Sequence, residues 1–468
     1  VNKLVSDDGR FETNIQGDGN LVTYDLATGK VVWDSMSGHW RGVDDVPWVP
    51  PDPPKPPIPP IPPRPTISQA LRPYGARSCQ DQDGPRLLVG FTAFHFVWSW
   101  KFDRDRVKRD IDLAVVHGYD YGRGLCQVGT TTDGYWNEKA VLTSWPDLDE
   151  LVASLTDYAA DNGLRMAWTL MGKGGEIDQS QAARIRFCER MGHVLKGRRI
   201  AFAEAMNEAY AFVAQDIIDC RAAFLSTYGT DLADLVGTSA VPGPESGESF
   251  GQAVARWSRG LVFGHLDRDQ SKSEMQDRPW RQSWEWGLEG KRWVDGEPIG
   301  PGSSVAQERR PDVLRSHRLV SFVARAMASC FHSRAGVRGD LAYQDMPGFA
   351  EAPRAKRFLP GHFADGEQVN GHWPNSIWQP LSKDQIRADN GNTSGLIRLY
   401  SNFAPDGLVY SVPFGLVSPV TLTAKVNLKS VRICNQDTNE VLNEVSLAAG
   451  QPLTLPVATD YLLVCERG

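Results

Sequence analysis

Apolar and polar positions change their period twice along the chain. Residues 1 to about 48 alternate over short runs broken by Gly, Asp and Asn, the pattern of small β-strands joined by tight turns. From about residue 85 to 340, strand-length apolar runs alternate with amphipathic stretches of helical period. Strands are expected at 87–94, 119–128, 165–170, 200–206, 235–240, 261–266, 293–297 and 328–333. Helices are expected between them, at 103–117, 148–162, 179–196 and 216–228 among others. Eight β/α units over some 250 residues match a (β/α)8 TIM barrel in count and in size. After about residue 395 the helical period disappears, and closely spaced strands are expected at 396–400, 408–412, 420–426, 430–435, 441–446, 453–457 and 461–465. That spacing predicts an all-β sandwich. Residues 47–66 hold a run of Pro-Pro pairs, which fixes φ and favours a stiff polyproline II spacer. The expected α/β chain therefore divides into a β module at 1–46, a linker at 47–66, a barrel at 67–394 and a β-sandwich at 395–468.

Composition narrows the partners. A formal charge of −7 with a pI near 5.8 gives no support for nucleic-acid or anionic-membrane binding. No run of about twenty apolar residues exists to span a bilayer. The seven Cys are scattered, odd in number and without metal-ligand spacing, so they leave the redox compartment open. Residues 1–20 lack a signal-peptide core and the chain lacks an initiator Met, so processing upstream is expected. Fifteen Trp suit stacking on sugar rings. Gly172-Lys-Gly-Gly175 lacks the spacing of a phosphate loop, and Asp81-Gln-Asp83-Gly84 is too short for an EF-hand. No cofactor and no metal are implied.

The chemistry concentrates in Ile200-Ala-Phe-Ala-Glu-Ala-Met-Asn-Glu-Ala-Tyr210, where an apolar strand ends in Asn207-Glu208. A carboxyl group at the end of a buried strand is held partly desolvated, which raises its pKa and suits it to general acid work. The stretch resembles the Asn-Glu signature of retaining glycoside hydrolases with (β/α)8 folds, and Glu204, four residues earlier, matches a second Glu of many members. The resemblance implies Glu208 as acid/base and a nucleophile at the end of the seventh strand. Glu297 in Trp293-Val-Asp-Gly-Glu-Pro fits, 89 residues further along, as three further β/α units require. Glu285 and Glu289 compete for that role. Arg123, at the end of the second strand, resembles the buried Arg that keeps such a nucleophile ionised; its alternative is an ordinary ion pair with Glu204. Asn207 would bond a sugar hydroxyl. His95, His265 and His332, and among the tryptophans Trp168, Trp284 and Trp286, are expected at the same rim as substrate contacts. The family's Tyr two residues after His265 is replaced by Asp267.

In the N-terminal module, Gln16, Asp18, Asn20, Val22 and Tyr24 occupy alternate positions and so share one strand face. They match the Gln-x-Asp-x-Asn-x-Val-x-Tyr motif of bulb-type mannose-binding lectins, which carry three such repeats where this chain has one. Two arrangements complete the prism: a homotrimer with one repeat per chain, or further repeats supplied from before Val1. The combined expectation is a retaining glycosidase acting on a β-linked polysaccharide, with an appended sugar-binding module, outside the cell or on a virion. The alternative is a non-catalytic carbohydrate-binding or adhesion protein built on the same barrel.

Overall fold

The computed structural model describes residues 3–5, 10–15, 21–25, 27, 30–34, 66–129, 139–172, 180–207, 214–239, 252–253, 256, 259–264, 283, 288–298, 300–302, 309, 311–370, 377–379, 398–414, 419–438, 440–456 and 461–468. The chain forms two compact units, Val1–Pro62 and Pro63–Gly468. The first contains an antiparallel four-stranded meander of β1 (Lys3–Val5), β2 (Phe11–Ile15), β3 (Leu21–Asp25) and β4 (Lys30–Asp34). Val22 is buried in it and Tyr24 half-buried, while Gln16, Asp18 and Asn20 lie outside the described residues.

The second unit opens with a small antiparallel sheet of β5 (Arg72–Tyr74), β6 (Ser78–Asp81) and β7 (Gly84–Arg86). Its carboxylate Asp81 pairs at 3.1 Å with Arg165, the first residue of a barrel strand, and the Ser78 carbonyl accepts from Arg292 at 3.0 Å. The sheet thus covers the N-terminal end of the barrel, opposite the C-terminal end where such barrels place their chemistry. Asp81 and Asp83, set aside as a calcium loop, form this sheet's hairpin: Asp81 accepts from the Asp83 amide and from Arg86.

The barrel itself closes through β8 (Leu88–Thr92), β9 (Tyr121–Leu125), β10 (Arg165–Met171), β11 (Ala203–Met206), β12 (Val236–Ser239), β13 (Leu261–Gly264), β14 (Trp293–Asp295) and β15 (Ala328–Phe331). All eight pairings are parallel, and β15 pairs with β8 to complete the ring. Inward side chains meet across the lumen: the Tyr121 and Phe202 rings are 4.8 Å apart and those of Phe202 and Phe263 are 5.5 Å apart. Gly90 is required there, since a Cβ at that position would sit 2.2 Å from the Tyr121 ring.

Helices α1 (Phe96–Phe102), α2 (Arg104–His117), α3 (Leu148–Asp161), α4 (Gln181–Leu195), α5 (Ala214–Tyr228), α6 (Pro311–Val323) and α7 (Arg334–Arg338) lie between or after these strands. In α3 the buried residues are 148, 151, 152, 155, 156, 159 and 160, a stripe that faces the barrel and is apolar except for Thr156. Asp103 caps α2 by accepting from the Arg106 amide, and Gly118 ends it at φ 93°.

A six-stranded sheet follows, ordered β16 (Glu367–Asn370), β17 (Arg398–Phe403), β18 (Val409–Phe414), β23 (Tyr461–Arg467), β20 (Leu428–Asn435) and β21 (Val441–Leu447). Strands β19 (Val420–Thr423) and β22 (Pro452–Leu455) pair separately. Period-two alternation decides what each face covers. Val409, Leu463 and Cys465 join Val420, Leu422, Leu453 and Leu455 in one core, whereas Tyr410, Val412, Leu462 and Val464 join the barrel core. The larger sheet is therefore sandwiched between its small partner and the barrel. Asn402 donates to the Val323 carbonyl at the end of α6 at 3.1 Å across that junction.

Candidate active site

Arg123 is the third of five residues in β9, deeper in the barrel than the strand end where its pattern put it. A guanidinium buried to 1% exposure must have its donors met, and here four side chains meet them. Nη1 donates to Glu297 Oε1 at 2.8 Å, and Nη2 to Glu204 Oε2 at 2.6 Å and Asn207 Oδ1 at 2.9 Å. Nε donates to Thr169 Oγ1 at 3.2 Å, while the Thr169 hydroxyl donates to the same oxygen of Glu204. The rings of Phe94 and Phe263 lie 5.2 Å and 5.7 Å from the guanidinium carbon, supplying cation–π contacts that a water-filled site could not. Burial alone would depress the Arg123 pKa. The charges of Glu204 and Glu297 more than reverse this and raise it, so the group is a permanent cation.

The strands explain the convergence. Thr169 and Glu204 are register partners on neighbouring strands β10 and β11, and Arg123 sits on β9 on the other side of β10. Asn207 follows β11, tied by its amide to the Met171 carbonyl at 2.9 Å. Glu297 follows β14 by two residues and is 2% exposed, so it is no solvated turn carboxylate. Arg123 bridges Glu204 and Glu297. Oε1 of Glu204 has no hydrogen-bond partner among the described residues.

The other expected contacts divide. His332 is buried after β15, its ring 6.1 Å from that of Phe94, which itself covers Arg123. His95 is turned away: Nδ1 shares a 2.9 Å hydrogen bond with Ser99 Oγ, and its ring stacks near Tyr343. Burial, then Arg106 and Lys139, hold its pKa well below the ordinary histidine value. Trp168 faces the helix layer, donating to Thr156 of α3 at 2.9 Å, and the structure does not bring it to the cluster. Trp100 and Trp293 are likewise buried. Glu208, His265, Trp284, Glu285 and Trp286 lie outside the described residues.

Sequence reasoning missed Thr169, Phe94 and a second polar group behind the strand. Asp295, two residues before Glu297, is fully buried and accepts from Ser321 of α6 at 2.6 Å, with His317 Nδ1 at 3.9 Å. Burial pushes its pKa up to about 7, against the lowering effects of Ser321 and Arg318. Burial and the neighbouring Arg318 bring His317 down to about 3, so this pair holds no cationic imidazole near neutrality.

No protein-family model matches the chain, and no curated protein sequence does. Solved structures align over most of it at low identity. An α-amylase from Lactobacillus plantarum aligns at 10% identity and a TM-score of 0.47, covering 81% of this chain and 98% of that one. An α-L-fucosidase from Bacteroides thetaiotaomicron aligns at 10% and 0.45, covering 86% and 97%. A GH5_18 protein from Streptomyces cattleya, in complex with Manβ1-4GlcNAc, aligns at 14% and 0.42, covering 59% and 82%. Likeness at this level carries no statement about activity, and the barrel rests on its own strand register. No helix among the described residues is long and apolar enough to cross a membrane, and no cluster among them has the make-up of a metal site.

Proposed function

We propose that the chain is a retaining glycoside hydrolase acting on a β-linked polysaccharide, with Glu297 as nucleophile and Glu208 as acid/base. The observation that supports this most is the buried Arg123, which holds Glu297 by a charge-assisted bond and Asn207, the residue before Glu208, by another. Double displacement needs an ionised carboxylate facing the anomeric carbon and a second carboxyl group about 5–5.5 Å away that protonates the leaving oxygen. A permanent cation against Glu297 suits the first role. Asn207, held by the same guanidinium, would bond a sugar hydroxyl next to the reacting carbon. Glu204, fully buried beneath them, is a positioning group rather than a reactant. The Gln16, Asp18, Asn20, Val22 and Tyr24 face would add a weak sugar site outside the barrel, one per chain or three in a trimer.

The test is nucleophile rescue. Glu297→Ala should abolish hydrolysis of an activated aryl β-glycoside, and azide should restore it with an inverted glycosyl azide as product. Glu208→Ala should spare aryl glycosides with good leaving groups and lose natural linkages, since only the latter need protonation. If Glu297→Ala keeps wild-type activity while Glu285→Ala or Glu289→Ala is rescued by azide, the nucleophile is misassigned. A wild-type chain that binds polysaccharide and hydrolyses nothing would favour the adhesion reading.

A further inference from the structure

Helices α4 and α5 flank, in sequence and in the barrel wall, the strand β11 that carries Glu204 and leads to Asn207. They run in parallel with a constant offset of 32 residues. Arg184 pairs with Asp216 at 2.9 Å, and two turns further on Gly192 lies against Phe224 and Thr227. The approach there is close, since a Cβ on Gly192 would fall 2.0 Å from Thr227 Oγ1 and 2.5 Å from the Phe224 carbonyl oxygen. Thr227 also donates across the interface to the Glu189 carbonyl at 2.9 Å. Between these two contacts, at the same offset, stand Cys188 and Cys220. Both are free and fully buried, and the constant offset sets them level with each other on the facing helices.

We propose that Cys188 and Cys220 are an oxidisable pair that closes to a disulfide, clamping α4 to α5 around the strand of the candidate site. Bridging needs Cα atoms roughly 4.4–6.8 Å apart with facing Cβ vectors, a spacing ordinary helix packing does not reach. The glycine at 192 draws the helices together one turn away. The thiolate of one cysteine attacks the O–O bond of a peroxide, giving a sulfenic acid on that sulfur and, with one proton, water. The thiol of the other then attacks the sulfenic sulfur, the S–S bond forms, and a second water leaves with the remaining protons. Two thiols and one hydrogen peroxide become one disulfide and two waters. A small neutral oxidant suits two sulfurs with no exposed surface.

The experiment treats the full chain with hydrogen peroxide, alkylates remaining thiols, and maps tryptic peptides without reduction. The expected product joins peptides 187–190 and 200–221, lighter by two hydrogen atoms than their sum, and dithiothreitol separates them. The oxidised chain should melt roughly 3–6 °C above the reduced one, from the entropy removed from the unfolded loop. Cys188→Ser and Cys220→Ser should each abolish the linked peptide and the shift; either variant suffices if the other does not fold. Full alkylation of both cysteines, in a sample whose methionines are already oxidised to sulfoxide, would overturn the proposal. So would linkage of Cys188 to Cys126, its other cysteine neighbour.

Discussion

Arg123→Met removes the charge at the centre of the cluster while keeping most of the side-chain volume. It leaves Glu204 and Glu297, exposed to 0% and 2%, facing each other without a cation. At an effective dielectric of about 20, each carboxylate loses an attraction of about 4 kcal/mol to a charge some 4 Å away. The protein escapes part of this by protonating a carboxylate, so the expected loss in stability near pH 7.5 is about 3–5 kcal/mol. The sign of the pH dependence follows. Buried carboxylates without their counter-charge bind protons more tightly in the native state than in the unfolded chain, so the variant regains stability as the pH falls. The deficit should shrink by up to about 1.4 kcal/mol per pH unit for each carboxylate involved. Urea unfolding of both proteins at pH 5, 6 and 7.5, extrapolated to water, reads this directly. Adding Glu204→Gln to the variant should recover part of the loss, because only one uncompensated carboxylate remains. A deficit below about 1 kcal/mol at pH 7.5, or one that does not change with pH, would refute the view that Arg123 is the counter-charge of both.

Three other outcomes are expected. Burial holds the Asp295 pKa up at about 7 against 3.8 for an exposed Asp, so wild-type stability should fall as pH rises between these values, by roughly 3 kcal/mol from pH 5 to pH 8; Asp295→Asn, which keeps the Ser321 bond, should flatten that slope, and an unchanged slope would contradict it. Gly192→Ala forces a methyl group against backbone of α5 and should cost about 1–3 kcal/mol in urea unfolding while lowering the yield of the Cys188–Cys220 link; an unaltered yield would contradict the close-approach argument. Sedimentation of the full chain and of a chain starting at residue 67 decides the oligomer: a trimer lost on truncation supports assembly through the lectin-like repeat, and a monomeric full chain rules it out.

Most of the barrel strands were legible as short apolar runs bounded by turn residues. Even so, seven of the eight expected strands overran the hydrogen-bonded ladder at one end or both, as at 119–128 against Tyr121–Leu125, while the one expected at 165–170 stopped a residue short of Met171. Strands β5 to β7 went unseen, being three or four residues long and carrying Arg, Pro, Gly and Asp in place of alternation. In the site, Arg123, Glu204, Asn207 and Glu297 were legible because the residues on strands four and seven carry a recognisable pattern. Thr169 and Phe94 were not, since Thr169 meets Arg123 from the neighbouring strand β10 and Phe94 from the turn after β8, contacts that no local pattern marks. His95 and Trp168 show the same limit. Position near a strand end does not say which way a side chain turns, and these two turn to Ser99 and to Thr156. Asp295 falls inside the strand expected at 293–297, but that pattern does not say that its side chain is directed outward to α6.

The central claim is a covalent glycosyl-enzyme on Glu297. It is tested by incubating the chain with a panel of activated 2-deoxy-2-fluoro β-glycosides, which stall the second displacement, and by mapping the adduct on tryptic peptides. The account predicts one added fluorosugar on peptide 293–309, at Glu297, and none on peptide 282–291, which holds Glu285 and Glu289. An adduct on 282–291, or steady turnover of the parent glycosides with no trapped enzyme and an inverted product, would contradict it.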